Sequence, residues 1–213
     1  ATSKIASIDD LERLRTLGFR GEALASIASV AQVELRTKRS SDAAGFCIRV
    51  EGGDVRGAEP CATKDGTSIA VKNLFYNVPA RRNFLKTPAT ELRHVVETFQ
   101  SIALSNPSTG FTLVHDGMEM YRLPPERSQS FLEKLRGRIR SLYGPDYEDR
   151  LVEIGEQTSY LSVSGFVGEP ELHKKSRGEQ FLFVNGRIVR HRSLEHAIYS
   201  AFEDLIPEGA YPF

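Results

Sequence analysis

Gly18 and Gly21 bracket Arg20 and stand directly ahead of Glu22 and an alanine-rich apolar run, in the string LGFRGEALASIASVA at residues 17–31. A flexible loop that feeds straight into a helix is a geometry that binds phosphate. Glycine reaches backbone conformations closed to other residues, and the first turn of a helix carries N–H groups with no intrahelical acceptor. Those donors, with the positive end of the helix dipole, attract an anion. Spacing alone leaves a second reading open: an ordinary helix start whose glycines only make a turn.

A second set of residues suits a polyanion. Lys174, Lys175 and Arg177 stand in one loop, and Arg187, Arg190, His191 and Arg192 follow a strand closely, so one face can collect positive charge. Phosphate contact through such a face predicts steep salt dependence and little base selectivity. The alternative is that these cations form surface pairs with Glu169, Glu171, Glu179 and Glu195. Any such affinity is local, because 28 Lys and Arg balance 28 Asp and Glu and leave no net field to drive the chain onto a polyanion.

Other chemistry is harder to find. Cys47 and Cys61 have neither CxxC nor Cys/His spacing, so no metal-site residue is assigned and both read as reduced packing residues. No signal peptide, lipidation motif or bilayer-length apolar run is visible, which makes a cytoplasmic protein without a membrane partner the expectation.

The elements that must position these residues follow from periodicity. Ala23, Leu24, Ile27, Ala28 and Ala31 recur on one helical face after Gly21, and strands are expected at 32–38, 46–51 and 67–74. Pro79 suits the first turn of a helix reaching Lys86. A second helix over 91–104 would face Leu92, Val95, Val96, Phe99 and Ile102 inward. Asp116-Gly117 signals a hairpin between strands at 111–115 and 118–123. Pro124-Pro125 then interrupts the pattern and marks the expected domain boundary. Beyond it come a basic helix over 128–143, strands at 151–154, 160–167 and 180–184, and a helix over 193–205. Asn185-Gly186 between the last two is a hairpin signal.

Long literal strings carry more than spacing does. TLGFRGEALASIASV resembles the third ATP-binding motif of the MutL mismatch-repair ATPases, members of the gyrase, heat-shock chaperone and histidine kinase (GHKL) superfamily. ATSKI at residues 1–5 is similar to the segment preceding that motif, GTSIAVKNLFYNVPARRNFLK at 66–86 to the fourth motif with its downstream signature, and FLFVNGRIVRHR at 181–192 to a second-domain stretch. The likeness runs nearly end to end. It implies an α+β chain. Residues 1–124 would be the C-terminal part of a GHKL-type α/β sandwich ATPase domain, and 125–213 a ribosomal protein S5 domain 2-like transducer domain, truncated at its C-terminal end. In relatives the stretch after Asn185-Gly186 leads into a helix.

The resemblance also implies roles. Gly18, Phe19, Arg20, Gly21, Glu22, Ala23 and Leu24 would form a lid loop around the triphosphate of ATP, with Thr2, Ser3 and Lys4 at its other end and Thr67 approaching from the sheet. Lys174, Lys175, Arg177, Arg187, Arg190, His191 and Arg192 would contact DNA without sequence preference. The family's partners are the mismatch-recognition protein MutS, a downstream nuclease or helicase, and a second copy of the chain, acting on the nucleoid of a bacterial cell. What is missing counts equally. The family's water-activating glutamate, its Mg²⁺-binding asparagine, its adenine-reading Asp-x-Gly-x-Gly loop and its downstream phosphate-contacting lysine have no counterpart here, so no catalytic residue is assigned, and Glu22 belongs to the lid. The expectation is an internal segment that uses ATP and Mg²⁺ only within the intact protein. Two alternatives stand: a DNA-binding and interaction module with no nucleotide function, and a type II topoisomerase-like ATPase subunit, against which GFRGEAL and LFYNVPARR argue.

Overall fold

The computed structural model describes residues 22–176 and 179–213. The chain divides into two compact units, Ala1–Glu91 and Leu92–Phe213.

The described part of the first unit opens with α1 (Ala23–Ala28), followed by β1 (Gln32–Lys38), β2 (Gly45–Glu51), β3 (Asp54–Cys61) and β4 (Gly66–Lys72). These strands form one antiparallel sheet in the order β3-β2-β1-β4. Leu35 pairs with Ile48 on one side and Ile69 on the other, and Val33 with Val50 and Val71, so the period-two pattern gathers the apolar side chains on one face. On the other face Arg49 joins Glu34 at 3.1 Å and Glu59 at 2.7 Å. β3 is not among the expected strands, because its glycine and proline suit an edge position and hide it from propensity. Its signal is the Gly52-Gly53 turn, with φ of 60° and 96°. Ala28, Ala31 and Val33 form the core here, with Ile27 and Val50 packed on it. Only the later part of α1 reaches that core: Leu24, expected inward, is 47% exposed.

After α2 (Pro79–Asn83), α3 (Pro88–Ser105) runs across the division between the units. In the second unit, Ser101, Ala103 and Leu104 of α3 are buried, whereas Val95 and Ile102 are exposed. Those two are seven residues apart and share a stripe beside the buried one, so the expected face is off by part of a turn. The hairpin of β5 (Phe111–His115) and β6 (Met118–Leu123) is closed by Asp116 and Gly117 at φ 49° and 78°, as its sequence demands.

Helix α4 (Phe131–Tyr143) begins at a capping box in which Ser130 Oγ accepts from the Glu133 amide at 3.0 Å and the Glu133 carboxylate accepts from the Ser130 amide at 3.3 Å. Then come α5 (Pro145–Glu148), the hairpin of β7 (Leu151–Gln157) and β8 (Ser162–Gly168), and the short hairpin of β9 (Leu182–Val184) and β10 (Arg187–Val189), ending in α6 (Arg192–Phe202). The core joins Leu104, Ile139 and Leu151 to an aromatic group in which Tyr143 and Tyr147 stack at 5.2 Å and Phe213 meets both edge-on.

Candidate nucleotide lid and nucleic-acid face

The lid strings explain one another through backbone hydrogen bonds. A short helix such as α1 is marginal alone, so its position depends on what holds its ends. Its C-terminal carbonyls and those just beyond it are each taken up. Gly53 N–H donates to Ala28 O at 2.9 Å, Phe75 N–H to Val30 O at 2.7 Å, Gly52 N–H to Ala31 O at 3.3 Å, and Asn77 Nδ2 to Ser29 O at 2.9 Å. The LFYNVPARR loop is thus a strap across the C-terminal end of α1. To reach it, Asn73 and Phe75 adopt left-handed φ of 52° and 63°, a costly conformation for an aromatic residue that the surrounding bonds hold in place.

Among the described residues no side chain caps the other end of α1. Glu22 is its N-cap without a side-chain capping bond, and Glu22, Ala23 and Leu24 are exposed. The first-turn amides have no helical acceptor, an arrangement suited to an anion. Thr67 lies on β4 opposite Thr37, their hydroxyls 2.9 Å apart. Thr2, Ser3, Lys4, Gly18, Phe19, Arg20 and Gly21 lie outside the described residues. Two of the paired carboxylates of this unit are held below the usual carboxylate range, Glu34 by the Arg49 guanidinium and Asp42 by Arg39. Among the described residues no three His, Cys, Asp or Glu side chains gather as metal ligands.

The residues expected to bind DNA divide into distinct environments. Lys174 is anchored: its ammonium lies 3.3 Å from Glu179 and 4.5 Å over the Tyr147 ring, donates to the Tyr147 hydroxyl, and its backbone bridges to Tyr211. Lys175 is exposed, while Arg177 lies outside the described residues. Asn185 and Gly186, at φ 51° and 77°, turn β9 into β10, so the hairpin signal and the family's helix both hold, the helix starting six residues after Gly186. Arg187 is half-buried and engaged. Arg190 pairs with Glu97 of α3, a partner the sequence reading does not name. His191 is the N-cap of α6, without a side-chain capping bond among the described residues, and Arg192 its first residue, both exposed.

A short helix strapped to an antiparallel sheet, followed by a second α+β unit, is the fold of a GHKL-type ATPase region joined to an S5 domain 2-like region. The backbone is similar to the solved Aquifex aeolicus MutL ATPase domain complexed with ADP, with a TM-score of 0.70 and 26% identity over 97% of this chain and 74% of that one. Residues 139–213 match the family described as DNA mismatch repair protein, C-terminal domain. The whole chain is 50% identical to the DNA mismatch repair protein MutL of Christiangramia forsetii and 46% identical to that of Flavobacterium psychrophilum. The chain belongs to the MutL family of DNA mismatch repair proteins, and spans 33% of the length of these two relatives.

Proposed function

We propose that this chain is the lid-and-transducer segment of a mismatch-repair ATPase that couples mismatch recognition to downstream repair. By descent, residues 1–124 belong to the ATPase domain and 125–213 to the transducer. In this reading the loop residues Gly18 to Leu24, with Thr2, Ser3, Lys4 and Thr67, wrap ATP. The first turn of α1, uncapped by any side chain among the described residues and strapped from behind by the LFYNVPARR loop, is the observation that carries it. Bound ATP supplies the energy for closure of the lid and pairing of two copies. Mg²⁺ is held by residues outside this stretch of sequence. The chain alone does not turn over ATP, because no described side chain is placed as a base and the family's water-activating glutamate is absent from the sequence.

The intact protein binds duplex DNA through Lys175, Arg177, Arg187, Arg190, His191 and Arg192, with Lys174 in a supporting place. It acts in the bacterial cytoplasm with MutS and a nuclease or helicase. The alternative, an interaction module with no nucleotide function, gives way or stands on one comparison: steady-state ATP turnover and nucleotide affinity of this chain beside the intact protein. Turnover by the intact protein only is the expected result. Turnover by this chain would move the catalytic residues into it, and no nucleotide binding by either would leave the module.

A further inference from the structure

Glu179 and Glu97, acidic partners of Lys174 and Arg190 on the candidate DNA face, hold their cations in different ways. Lys174 is packed on Tyr147 and tied through its backbone, so Glu179 completes a structural anchor. Arg190 stands free of such packing, with its side chain 72% exposed, while Glu97 is 31% exposed and reaches it from α3, distant in sequence. Arg190 also sits directly before the N-terminus of α6, where His191 and Arg192 begin the helix. A DNA phosphate drawn to this face would compete with the Glu97 carboxylate for the Arg190 guanidinium. A carboxylate and a phosphate oxygen offer guanidinium the same kind of acceptor, and one can replace the other. Solvent exposure keeps the resident pair weak enough to exchange.

We propose that Glu97 is a resident competitor for the DNA phosphate at Arg190, lowering the affinity of this face until a duplex displaces it. The inference rests on the reading that this face binds DNA. Its consequence is a face held partly neutral in the absence of DNA, which suits a protein that must not stay on any one duplex.

The test is binding of a short labelled duplex to the intact protein, by fluorescence anisotropy at fixed salt, for wild type, Glu97→Gln, Arg190→Gln and the double variant. Thermal melts of each check folding, and Glu97→Ala serves as the second removal of the carboxylate. Removing Glu97 is expected to tighten binding about two- to fivefold in the wild-type background, and to do nothing where Arg190 is already glutamine. Equal tightening in both backgrounds would show only a lost negative charge and overturn the competitor. So would unchanged or weaker binding, the latter meaning that Glu97 positions Arg190 for DNA. Failure of wild type and all variants to bind duplex would instead remove the DNA reading itself, and the competitor with it.

Discussion

Arg138 donates from Nη2 to the carbonyl of Pro124 at 3.0 Å, fourteen residues back along the chain, and from the same nitrogen to Pro107 and Thr109 at 2.8 Å each. Its side chain is fully buried, and Nε and Nη1 have no partner among the described residues. Burial pulls its pKa below the usual value, and the Glu126 carboxylate opposes that. The Pro124-Pro125 stretch, which sequence marks as a break, is therefore held against the turn after α3 and against α4, and lies within the second compact unit. One guanidinium thus ties together the segments on both sides of the Pro124-Pro125 stretch.

Arg138→Met should destabilise the second unit by about 2–4 kcal/mol, since charge-assisted bonds to three carbonyls are lost together. Arg138→Lys should recover only part, because a single ammonium lacks the planar fork. Thermal unfolding of the three proteins measures this, and equal stability of wild type and Arg138→Met would show the clasp to be inert.

Asn77→Ala removes the side-chain half of the strap on α1 while leaving the backbone bonds of Gly53 and Phe75 in place. An exposed neutral hydrogen bond is worth about 0.5–1.5 kcal/mol. The expected outcome is faster amide exchange in α1 and weaker nucleotide binding by the intact protein, with little change in overall unfolding. If exchange in α1 stays at the wild-type rate, the strap does not set the position of the helix.

How far the sequence foretells this arrangement depends on what kind of signal each part gives. Local backbone chemistry is legible: Asp116-Gly117 and Asn185-Gly186 both close hairpins with positive φ, and Pro79 opens α2. Signals carried by composition alone mislead, since β3 is an edge strand with Gly57 and Pro60 and escapes notice despite its Gly-Gly turn. Ser130-x-x-Glu133 is equally readable as a capping box and starts α4 two or three residues later than expected. Contacts between distant segments are not legible. Nothing in the sequence pairs Glu97 with Arg190 or sends Arg138 to Pro107, because a long side chain finds its acceptor only after the fold has brought them together. The literal motif strings name the family, but that Phe75 and Asn77 strap α1 is a tertiary fact.

Replacing Arg187 and Arg190 together by glutamate should weaken duplex binding by the intact protein and flatten the slope of log affinity against log salt by about two, at roughly 0.9 for each phosphate no longer neutralised. The size of the effect should not depend on base sequence, as phosphate contacts carry none. A titration across salt concentrations with two unrelated duplexes checks both points. An unchanged slope would place the DNA face elsewhere on the protein.

Tyr143 makes the last prediction, and its sign is set by burial. The phenol sits among Tyr147, Phe213 and the aliphatic core, its hydroxyl buried without a partner among the described residues. Burial pushes its pKa far above the ordinary phenol value of 10.0, with the Glu179 carboxylate adding to the shift. In the unfolded chain the phenol loses its proton as pH passes about 10, while the folded protein keeps it. The unfolded state then binds fewer protons than the folded state, so stability is full below that pH and falls as pH rises above it. Tyr143→Phe removes the titrating group and leaves the ring in place. At neutral pH the variant should be as stable as wild type or slightly more so, because the lost hydroxyl had no hydrogen bond to give up. Above about pH 10 it should resist alkaline unfolding better than wild type, by an amount that grows with pH. Denaturant melts of both proteins at neutral and alkaline pH decide the matter; a variant that is less stable at neutral pH would show that the hydroxyl is satisfied in solution, and parallel alkaline losses would assign the titration to another group.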